Sequence, residues 1–244
     1  MQMTENILIL GGTMEAAELA ERLTADGHAV TTSLAGRTLK PKQLPGKIRS
    51  GGFGGARGLA TYLTEEKITR LIDATHPFAE QISANAAIAA KQTGIPFSAL
   101  RRPAWRAYED DRWQMVKSLE AAVDAVPDAA TAFLALGSQH IGAFAVRPDC
   151  DFITRMVDQP TEPLTFSAKL ILGRPSNDPA QEARIFADNG VTCLVCRNSG
   201  GKGGYAKIIA ARDLVLPVIM IDRPQLGSTV GYETVDELVT NFKL

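Results

Sequence analysis

The chain has 244 residues, of which 45% are hydrophobic and 22% charged, a balance typical of a globular protein with one large or two small domains. Its formal net charge of −1 provides no strong field for recruiting nucleic acid or anionic lipid. No apolar run approaches the length of a membrane span, and the first residues lack the features of a secretion signal. We therefore expect a cytoplasmic protein whose partners are neither nucleic acids nor membranes, and whose three cysteines are reduced.

The first predicted elements are a buried strand at 6–10, a glycine turn and a helix. In a parallel sheet this arrangement places the unpaired N–H groups of the helix N-terminus beside the turn, where they bind phosphate. Gly11 and Ala16 fit the first and last positions of the dinucleotide fingerprint G-x-G-x-x-G/A, whereas Thr13 occupies the position of the second glycine. The segment, which includes Gly12, predicts a nucleotide site, and a flavodoxin-like turn that binds no dinucleotide is the alternative.

The second strand, at 29–34, indicates which nucleotide is bound. NAD sites place an acidic residue about 20 residues after the glycines, where it binds the ribose 2′-hydroxyl. No Asp or Glu occurs in this strand or directly after it, and Ser33 and Arg37 are present instead. A hydroxyl and a guanidinium suit a 2′-phosphate, because Arg binds phosphate through two parallel hydrogen bonds. The pattern favours NADPH over NADH, unless Arg37 is a solvated loop residue.

Two further loops follow predicted strands of the first half. Residues 51–58 contain five glycines, so the loop is either flexible or a place where the backbone approaches a ligand closely, with Gly52 and Gly54 as candidates. Thr75 and His76 follow another strand and have two equally good interpretations. They cap the next helix, or they lie beside the nucleotide, where His76 would donate to a phosphate or transfer a proton.

Strand and helix patterns alternate along the whole chain, which is the signature of an α/β fold with mainly parallel sheets. We expect two Rossmann-like domains, residues 1–102 for the nucleotide and 103–244 for the substrate, with the active site in the cleft between them. The pattern leaves open whether the last helix packs on the second domain or returns to the first. Predicted strands are at 6–10, 29–34, near Ile48, 69–74, 95–99, 113–116, 131–136, 151–156, 168–172, 191–196 and 217–221, and predicted helices at 14–26, 57–66, 78–93, 118–126, 139–145, 179–189, 204–213 and 234–242.

Cys193 and Cys196 form a C-x-x-C pattern within the predicted strand at 191–196. Residues three apart in a strand face opposite sides of the sheet, so the two sulfurs would point away from each other. The pattern therefore indicates core packing and not a metal or redox centre. The sequence contains no other cluster with metal-ligand spacing, and we expect no metal cofactor.

The strongest strand of the second half is followed by a glycine-rich turn that leads into a helix. The spacing is not that of a Walker P-loop. Hydroxyl, amide and backbone N–H groups converge with cations at this helix N-terminus, which suits a ligand with several negative charges. A plain surface turn is the alternative. The candidate binding residues of the turn are Arg197, Asn198, Ser199, Gly200, Gly201 and Lys207.

Taken together, these motifs resemble a known family, the precorrin-6A reductases of cobalamin biosynthesis. The resemblance spans nearly the whole chain, and the motifs are specific through their order. They occupy residues 9–16, 33–38, 51–55, 73–79 with 85–86, 102–105, 198–201, 206–212, 217–221 and 223–224. Two departures lie in the second half, where Arg197 stands in place of a common lysine and residues 173–176 replace a G-P-F-S-like turn.

The resemblance implies an NAD(P)H-dependent reduction of the C18–C19 double bond of a tetrapyrrole, with hydride to C19 and a proton to C18, giving precorrin-6B. With the nucleotide favoured above, the expected reaction uses NADPH and precorrin-6A, and the proton comes from His76, Tyr205 or water. The expected cofactor-binding residues are Gly11, Gly12, Thr13, Glu15, Ser33, Arg37, Gly52, Gly54 and Thr75. The residues expected to bind the substrate carboxylates are Lys169, Arg174, Arg197, Asn198, Ser199, Gly200, Gly201 and Lys207.

The sequence leaves three alternative functions open. A cobalt-precorrin-6A reductase of the anaerobic route would reduce the cobalt-loaded substrate with NADH. A two-domain tetrapyrrole enzyme of the uroporphyrinogen-synthase kind would need no nucleotide. A regulatory module would bind NADPH without turnover. The resemblance also admits a partner interaction, in which the product is handed to the next enzyme of the pathway.

Overall fold

The computed structural model describes residues 4–36, 43–160, 163–164, 166–224 and 231–242. The chain divides into two compact units: residues up to Pro103 together with those from Pro224 onward, and Ala104–Arg223. Within the described residues, each unit contains a six-stranded sheet whose neighbouring strands are all parallel. The predicted α/β fold with two parallel sheets is confirmed. None of the described helices has the length and apolar character needed to cross a bilayer.

The secondary structure alternates between strands and helices throughout. The strands are β1 (Asn6–Leu10), β2 (Ala29–Leu34), β3 (Lys47–Ser50), β4 (Arg70–Asp73), β5 (Phe97–Leu100), β6 (Trp113–Val116), β7 (Thr131–Ala135), β8 (Asp151–Met156), β9 (Ala168–Leu172), β10 (Cys193–Arg197), β11 (Val218–Ile221) and β12 (Gly231–Tyr232). The α-helices are α1 (Met14–Ala25), α2 (Gly55–Glu65), α3 (Glu80–Thr93), α4 (Leu119–Ala125), α5 (Pro179–Asp188), α6 (Ala206–Asp213) and α7 (Val235–Phe242).

The sheet of the first unit runs in the order β12-β5-β4-β1-β2-β3. Helices α1 and α7 cover one face, and α2 and α3 cover the other. Ile7 and Ile9 of β1 pack with α1 and α7, whereas Leu8 and Leu10 pack with α2 and α3. Because both faces of β1 are buried, the strand reads in the sequence as a continuous apolar run and not as an alternating one.

The segment at 231–242 completes the first unit after the chain has formed the second. Strand β12 lies parallel to β5, and the Arg101 N–H donates to the Tyr232 carbonyl at 2.7 Å. Helix α7 buries Leu238 in the core beside α1, and Arg22 of α1 forms an ion pair with Asp236. The last helix therefore returns to the first unit, which answers the question that the sequence left open.

The sheet of the second unit runs in the order β6-β11-β10-β7-β8-β9, with α5 and α6 packed on one face. The helix predicted at 139–145 is a 3-10 helix, Ile141–Val146. Its Phe144 packs edge-on against Phe152 of β8, with ring centroids 5.6 Å apart. A segment of six residues that has to deliver one aromatic ring to the sheet suits the tighter 3-10 turn, which is used in short pieces.

The two cysteines of β10 are buried and unpaired. The Cys196 sulfur lies 3.6 Å from that of Met220, in the core beneath α5 and α6, and Cys193 faces the other side, towards Cys150 and Arg147. Burial raises the pKa of Cys193 to about 12 and that of Cys196 to about 11, so both remain thiols at neutral pH. The predicted role in core packing is confirmed.

Candidate functional site

The first candidate site is the edge of the first unit at which β1, β2, β3 and β4 end. In doubly wound sheets ligands bind beyond the carboxyl ends of the strands, where the strand order reverses, here between β1 and β4. The predicted residues from Gly11 to Glu15, the turn at 51–55 and Thr75 follow strands that end at this edge, and Ser33 lies in the last part of β2. Arg37, the other predicted cofactor residue, lies outside the described residues.

Thr13 caps α1 and joins it to the neighbouring strand. Its Oγ1 accepts from the Ala16 N–H at 3.1 Å and donates to the Ala74 carbonyl at 2.8 Å. Gly11, one position earlier than Gly12, donates its N–H to the Ser33 carbonyl at 2.9 Å and so ties the same turn to β2. The residue that departs from the dinucleotide fingerprint therefore replaces the flexibility of a second glycine with two hydrogen bonds at the helix N-terminus.

Glu15, in the first turn of α1, has an arginine partner. Arg102 donates from Nη1 to Glu15 Oε2 at 2.8 Å, and both side chains are largely buried. Burial lowers the pKa of the Arg102 guanidinium, while the Glu15 carboxylate opposes that shift. A cofactor group that binds the Glu15 carboxylate would therefore have to share that carboxylate with Arg102.

The glycine turn after β3 is held by Arg49, a residue that the sequence reasoning did not select. Arg49 donates from Nη1 to the Gly51 carbonyl at 2.6 Å and from Nη2 to the Gly52 carbonyl at 2.7 Å. Its guanidinium also stacks on the Phe53 ring, 3.7 Å from the ring centroid. The turn is therefore fixed by a side chain from the preceding strand.

The same turn packs tightly on the helix that follows it. Gly54 is the N-cap residue of α2 with φ +76°, a conformation that favours glycine. A Cβ at Gly58 would lie 1.8 Å from the Phe53 carbonyl oxygen, so only glycine permits this approach. The loop at 51–58 is thus an ordered turn at the strand edge and not a flexible segment, and its close approach to a ligand stays a prediction.

Thr75 belongs to a buried network around Asp73. Thr75 Oγ1 donates to Asp73 Oδ1 at 2.6 Å and its N–H donates to the same oxygen at 3.0 Å, while Arg101 Nη2 donates to Asp73 Oδ2 at 2.6 Å. Burial raises the pKa of the Asp73 carboxyl, but Arg101 and the hydroxyls of Ser83 and Thr75 lower it further, so the net pKa lies below its ordinary value. A carboxylate that is ionised at neutral pH therefore anchors the end of β4.

The structure excludes the interpretation in which Thr75 and His76 cap the next helix. Helix α3 begins at Glu80, and its N-cap residue, Ala79, provides no side-chain hydrogen bond. The Phe78 N–H donates to His76 Nδ1 at 3.3 Å. His76 is thus held by the backbone of its own turn, beyond the end of β4.

The second candidate site is the loop at 198–204, between β10 and α6. Asn198 is buried and pairs with the backbone of Trp105, accepting from its N–H at 2.8 Å and donating to its carbonyl at 3.1 Å. The Trp105 indole N–H donates to the Gly201 carbonyl at 2.7 Å. Trp105 therefore anchors the loop through contacts that span more than 90 residues of sequence.

Two cations complete the support of this loop. Arg223 donates from Nε to the Asn198 carbonyl at 2.8 Å and from Nη2 to the Ser199 carbonyl at 2.9 Å. Lys207 donates to the Gly204 carbonyl at 2.7 Å. Among the described residues, no hydrogen-bond acceptor is found for the backbone N–H groups of residues 201–204. The carbonyl groups of the loop thus accept hydrogen bonds from Trp105, Lys207 and Arg223, and its consecutive N–H groups can donate to an anion.

Lys207 and Tyr205 differ in where they place their polar atoms. Lys207 is buried, with Nζ 4.9 Å from the centroid of the Trp105 ring, and burial lowers the pKa of its ammonium group. The Tyr205 hydroxyl instead accepts from Arg212 at 3.3 Å, in the last turn of α6, and Arg212 is itself paired with Asp111. The hydroxyl of Tyr205 is therefore held at the Arg212–Asp111 ion pair and not at the N–H groups of the loop.

The other predicted substrate residues are not all brought to this loop. Arg197 donates to the Leu136 carbonyl at 2.8 Å, at the end of the adjacent strand β7. Lys169 is exposed near the start of β9, an edge strand separated from β10 by β7 and β8. Arg174 is exposed in the turn after β9. At about 4.8 Å per strand, Lys169 lies well away from the loop.

Comparisons with known proteins agree with the fold and with the order of the motifs. A family model described as precorrin-6x reductase CbiJ/CobK matches residues 6–243. The chain is 46% identical over 220 residues to the precorrin-6A reductase of Rhodobacter capsulatus, covering 89% of the chain and 88% of that protein. The chain belongs to the precorrin-6x reductase family. The resemblance stated from the sequence is thus confirmed.

Two further relatives define the range of the family around this chain. A solved structure of the precorrin-6A reductase CobK is 42% identical, with a TM-score of 0.95, and the match covers 99% of this chain and 96% of that one. A cobalt-precorrin-6A reductase from Priestia megaterium is 28% identical over 247 residues, covering 96% of each chain. The chain is therefore more similar to these precorrin-6A reductases than to the cobalt-precorrin-6A reductase.

A buried ion pair of the second unit carries no local sequence motif. Arg155 donates from Nη1 to both carboxylate oxygens of Glu182, at 2.8 and 2.9 Å, and the Ser176 N–H donates to the same carboxylate at 2.9 Å. This buried group fixes the turn at 173–176, which departs from the family pattern. The only available signal was a charged residue inside an apolar strand, which marks a buried partner without identifying it.

Proposed function

We propose that this protein reduces the C18–C19 double bond of precorrin-6A to give precorrin-6B in cobalamin biosynthesis, with NADPH as the hydride donor and C19 as the acceptor. The observation that carries the proposal is the family membership joined to a first unit whose strand order and capped α1 suit a dinucleotide. The non-redox alternative of the uroporphyrinogen-synthase kind explains neither feature.

The choice of NADPH rests on charge around the end of β2. Between Asp26 and Glu65 the chain carries six Lys or Arg residues and no Asp or Glu. An NAD site would offer an acidic residue in this stretch for the ribose 2′-hydroxyl, and that residue would repel a 2′-phosphate. Ser33, at the end of β2, is buried and supplies a hydroxyl. The cobalt-free substrate is favoured by the higher identity to the precorrin-6A reductases.

When bound, the nicotinamide supplies hydride, so the protein's task is to bind and orient two molecules and to deliver a proton. The N-terminus of α1, with Thr13 as its cap, binds the pyrophosphate. The substrate bears acetate and propionate groups, and we assign their carboxylates to the N–H groups of residues 201–204 and to Lys207. We assign the proton at C18 to His76 rather than to Tyr205, because the Tyr205 hydroxyl is engaged by Arg212.

The test is consumption of NADPH on adding precorrin-6A to the purified protein, followed together with the spectral change of the macrocycle. NADH and cobalt-precorrin-6A serve as the paired alternatives. Turnover fastest with NADPH and the cobalt-free substrate supports the proposal. Equal turnover with NADH overturns the nucleotide assignment, and a preference for the cobalt-loaded substrate overturns the substrate assignment. Binding of NADPH without oxidation would point to the regulatory module.

A further inference from the structure

Arg49 lies where the ends of β2 and β3 meet. It is the register partner of Ser33, which is in turn the partner of Leu10 in β1, so these residues form one row across the carboxyl ends of three strands. Arg49 Nη1 lies 3.4 Å from Ser33 Oγ. In doubly wound folds the adenosine ribose is bound after the second strand, so the ribose of a bound nucleotide would lie near this row.

The Arg49 guanidinium is held in place before any ligand arrives. The carbonyl groups of Gly51 and Gly52 and the ring of Phe53 fix its position and plane. A guanidinium has five N–H donors, and those contacts together with Ser33 use three of them within the described residues. The remaining two donors are available to an anion, and little side-chain entropy is lost when it binds.

The charge of Arg49 distinguishes it from the other anchored arginines of the first unit. Arg70, Arg101 and Arg102 each form an ion pair with a carboxylate, namely Glu5, Asp73 and Glu15. Arg49 has no carboxylate partner among the described residues, and no acidic residue occurs in the sequence from 27 to 64. Its positive charge is therefore directed at this strand edge without internal compensation.

We propose that Arg49, together with the Ser33 hydroxyl, binds the 2′-phosphate of NADPH and so determines the preference for NADPH over NADH. The inference rests on the proposed nucleotide and adds the residue that selects it. Arg49 thereby has two roles, since the same guanidinium that fixes the glycine turn also contacts the phosphate. A phosphomonoester suits it because the two remaining N–H donors can reach two phosphate oxygens.

The experiment measures binding of two nucleotide fragments by calorimetry, so that it does not depend on turnover. The probes are 2′,5′-ADP, which carries the 2′-phosphate, and 5′-AMP, which lacks it. The variants are Arg49→Gln, Arg49→Lys and, as the matched control, Lys47→Gln, which removes one positive charge from the exposed start of the same strand. Thermal unfolding of each variant checks that the first unit remains folded.

We expect Arg49→Gln to weaken binding of 2′,5′-ADP about tenfold or more and to leave that of 5′-AMP within about twofold, because 5′-AMP lacks the phosphate that Arg49 contacts. Arg49→Lys should retain part of the preference, and Lys47→Gln should change neither affinity by more than about twofold. Equal weakening of both probes by Arg49→Gln would reduce Arg49 to a support of the turn and overturn the inference. Equal affinity of the unaltered protein for both probes would also overturn the inference. It would leave the proposed reduction of the macrocycle in place, with NADH as a possible hydride donor. Binding of neither probe would overturn the proposed function itself.

Discussion

The two candidate sites each lie at the carboxyl end of a central strand of their sheet but are built in opposite ways. In the first unit, the turn after β1 is fixed by residues close to it in the sequence and by the ends of the next strands, with Thr13 as the cap of α1. In the second unit, the loop after β10 is held by Trp105 and Arg223, which come from before and after the strands that surround it. The first design presents a helix N-terminus, and the second presents a row of backbone N–H groups.

The difference corresponds to the shape of the proposed ligands. A dinucleotide is a common ligand with one pyrophosphate, and a short local motif can position one helix for it. A tetrapyrrole with several flexible carboxylates needs donors spread over a surface, so the loop has to be held rigid from below. Substitutions in each region should therefore affect one ligand and not the other.

The largest effect is expected from Asp73→Asn in the first unit. Removing the carboxylate leaves Arg101 partly buried without its counter-charge, and breaking such a pair costs about 3 kcal/mol in the free energy of unfolding. Urea unfolding measures it. As a control, Glu18→Gln disrupts the exposed contact with Arg22 and should change the same quantity by less than about 0.5 kcal/mol. Equal effects of the two variants would contradict the assigned role of Asp73.

The same carboxylate predicts a pH dependence. The pKa of Asp73 in the folded protein lies below its ordinary value, so its stabilisation is present at neutral pH and is lost as the pH falls through the folded-state pKa. Unaltered protein should therefore lose more stability on acidification than Asp73→Asn, since the variant has no carboxylate to protonate. Parallel slopes of unfolding free energy against pH for the two proteins would show that Asp73 is not the group responsible.

Asn198→Ala should act on the second site alone. It leaves the Trp105 N–H and carbonyl without their buried partners, at about 2 kcal/mol of stability, and it loosens the loop that we assign to the substrate. We expect a KM for precorrin-6A raised about tenfold and unchanged binding of 2′,5′-ADP. Asn189→Ala, which removes a local hydrogen bond from the C-cap residue of α5 to the Ile185 carbonyl, is the matched control and should leave binding of both ligands unaffected. A similar loss of 2′,5′-ADP affinity in Asn198→Ala would break the proposed separation of the sites.

Thr13→Gly tests whether the fingerprint glycine would serve the first site better. Glycine substitutes well as an N-cap, but the bond to Ala74 is lost, so we expect about 1 kcal/mol lower stability and several-fold weaker 2′,5′-ADP binding. Thr13→Ser keeps the hydroxyl and should remain close to the unaltered protein in both measurements. Tighter nucleotide binding by Thr13→Gly would contradict the role of Thr13 as the link between α1 and the end of β4.

The smallest effect is expected at the buried cysteines of the second unit. Because Cys193 and Cys196 point to opposite faces and remain thiols, neither a metal chelator nor a mild thiol oxidant should change the rate of NADPH oxidation. Alkylation followed by mass spectrometry should label neither residue in the folded protein and both after denaturation. Loss of activity with the chelator would contradict the core-packing role and indicate a metal site at the C-x-x-C pattern.

The sequence predicted most of the fold because each central strand is a short apolar run followed by a turn residue and an amphipathic helix. It missed β12, whose two residues are too short to show a period. It left open whether Thr75 caps α3, and the structure shows that Thr75 binds the buried Asp73 instead. A local pattern cannot distinguish these outcomes, since both place a hydroxyl after a strand.

The candidate sites were predictable to different degrees for the same reason. The glycine spacing predicts the turns at 11–13 and 51–55 from the sequence. Arg49 and Trp105 act through contacts that form only in the folded chain, so no local pattern predicts them. Lys169 was chosen for its charge alone, and the sheet places it on a distant edge strand. Charge in a sequence thus identifies candidates, and strand order decides which of them meet.

The most direct test of the account follows the hydride itself. NADPH carrying deuterium at both C4 positions of the nicotinamide is incubated with precorrin-6A and the protein, and the product is examined by NMR. We predict one deuterium at C19 of precorrin-6B and, when the reaction is run in heavy water with unlabelled NADPH, one at C18. Product without label at C19, or no oxidation of NADPH, would contradict the proposed reaction.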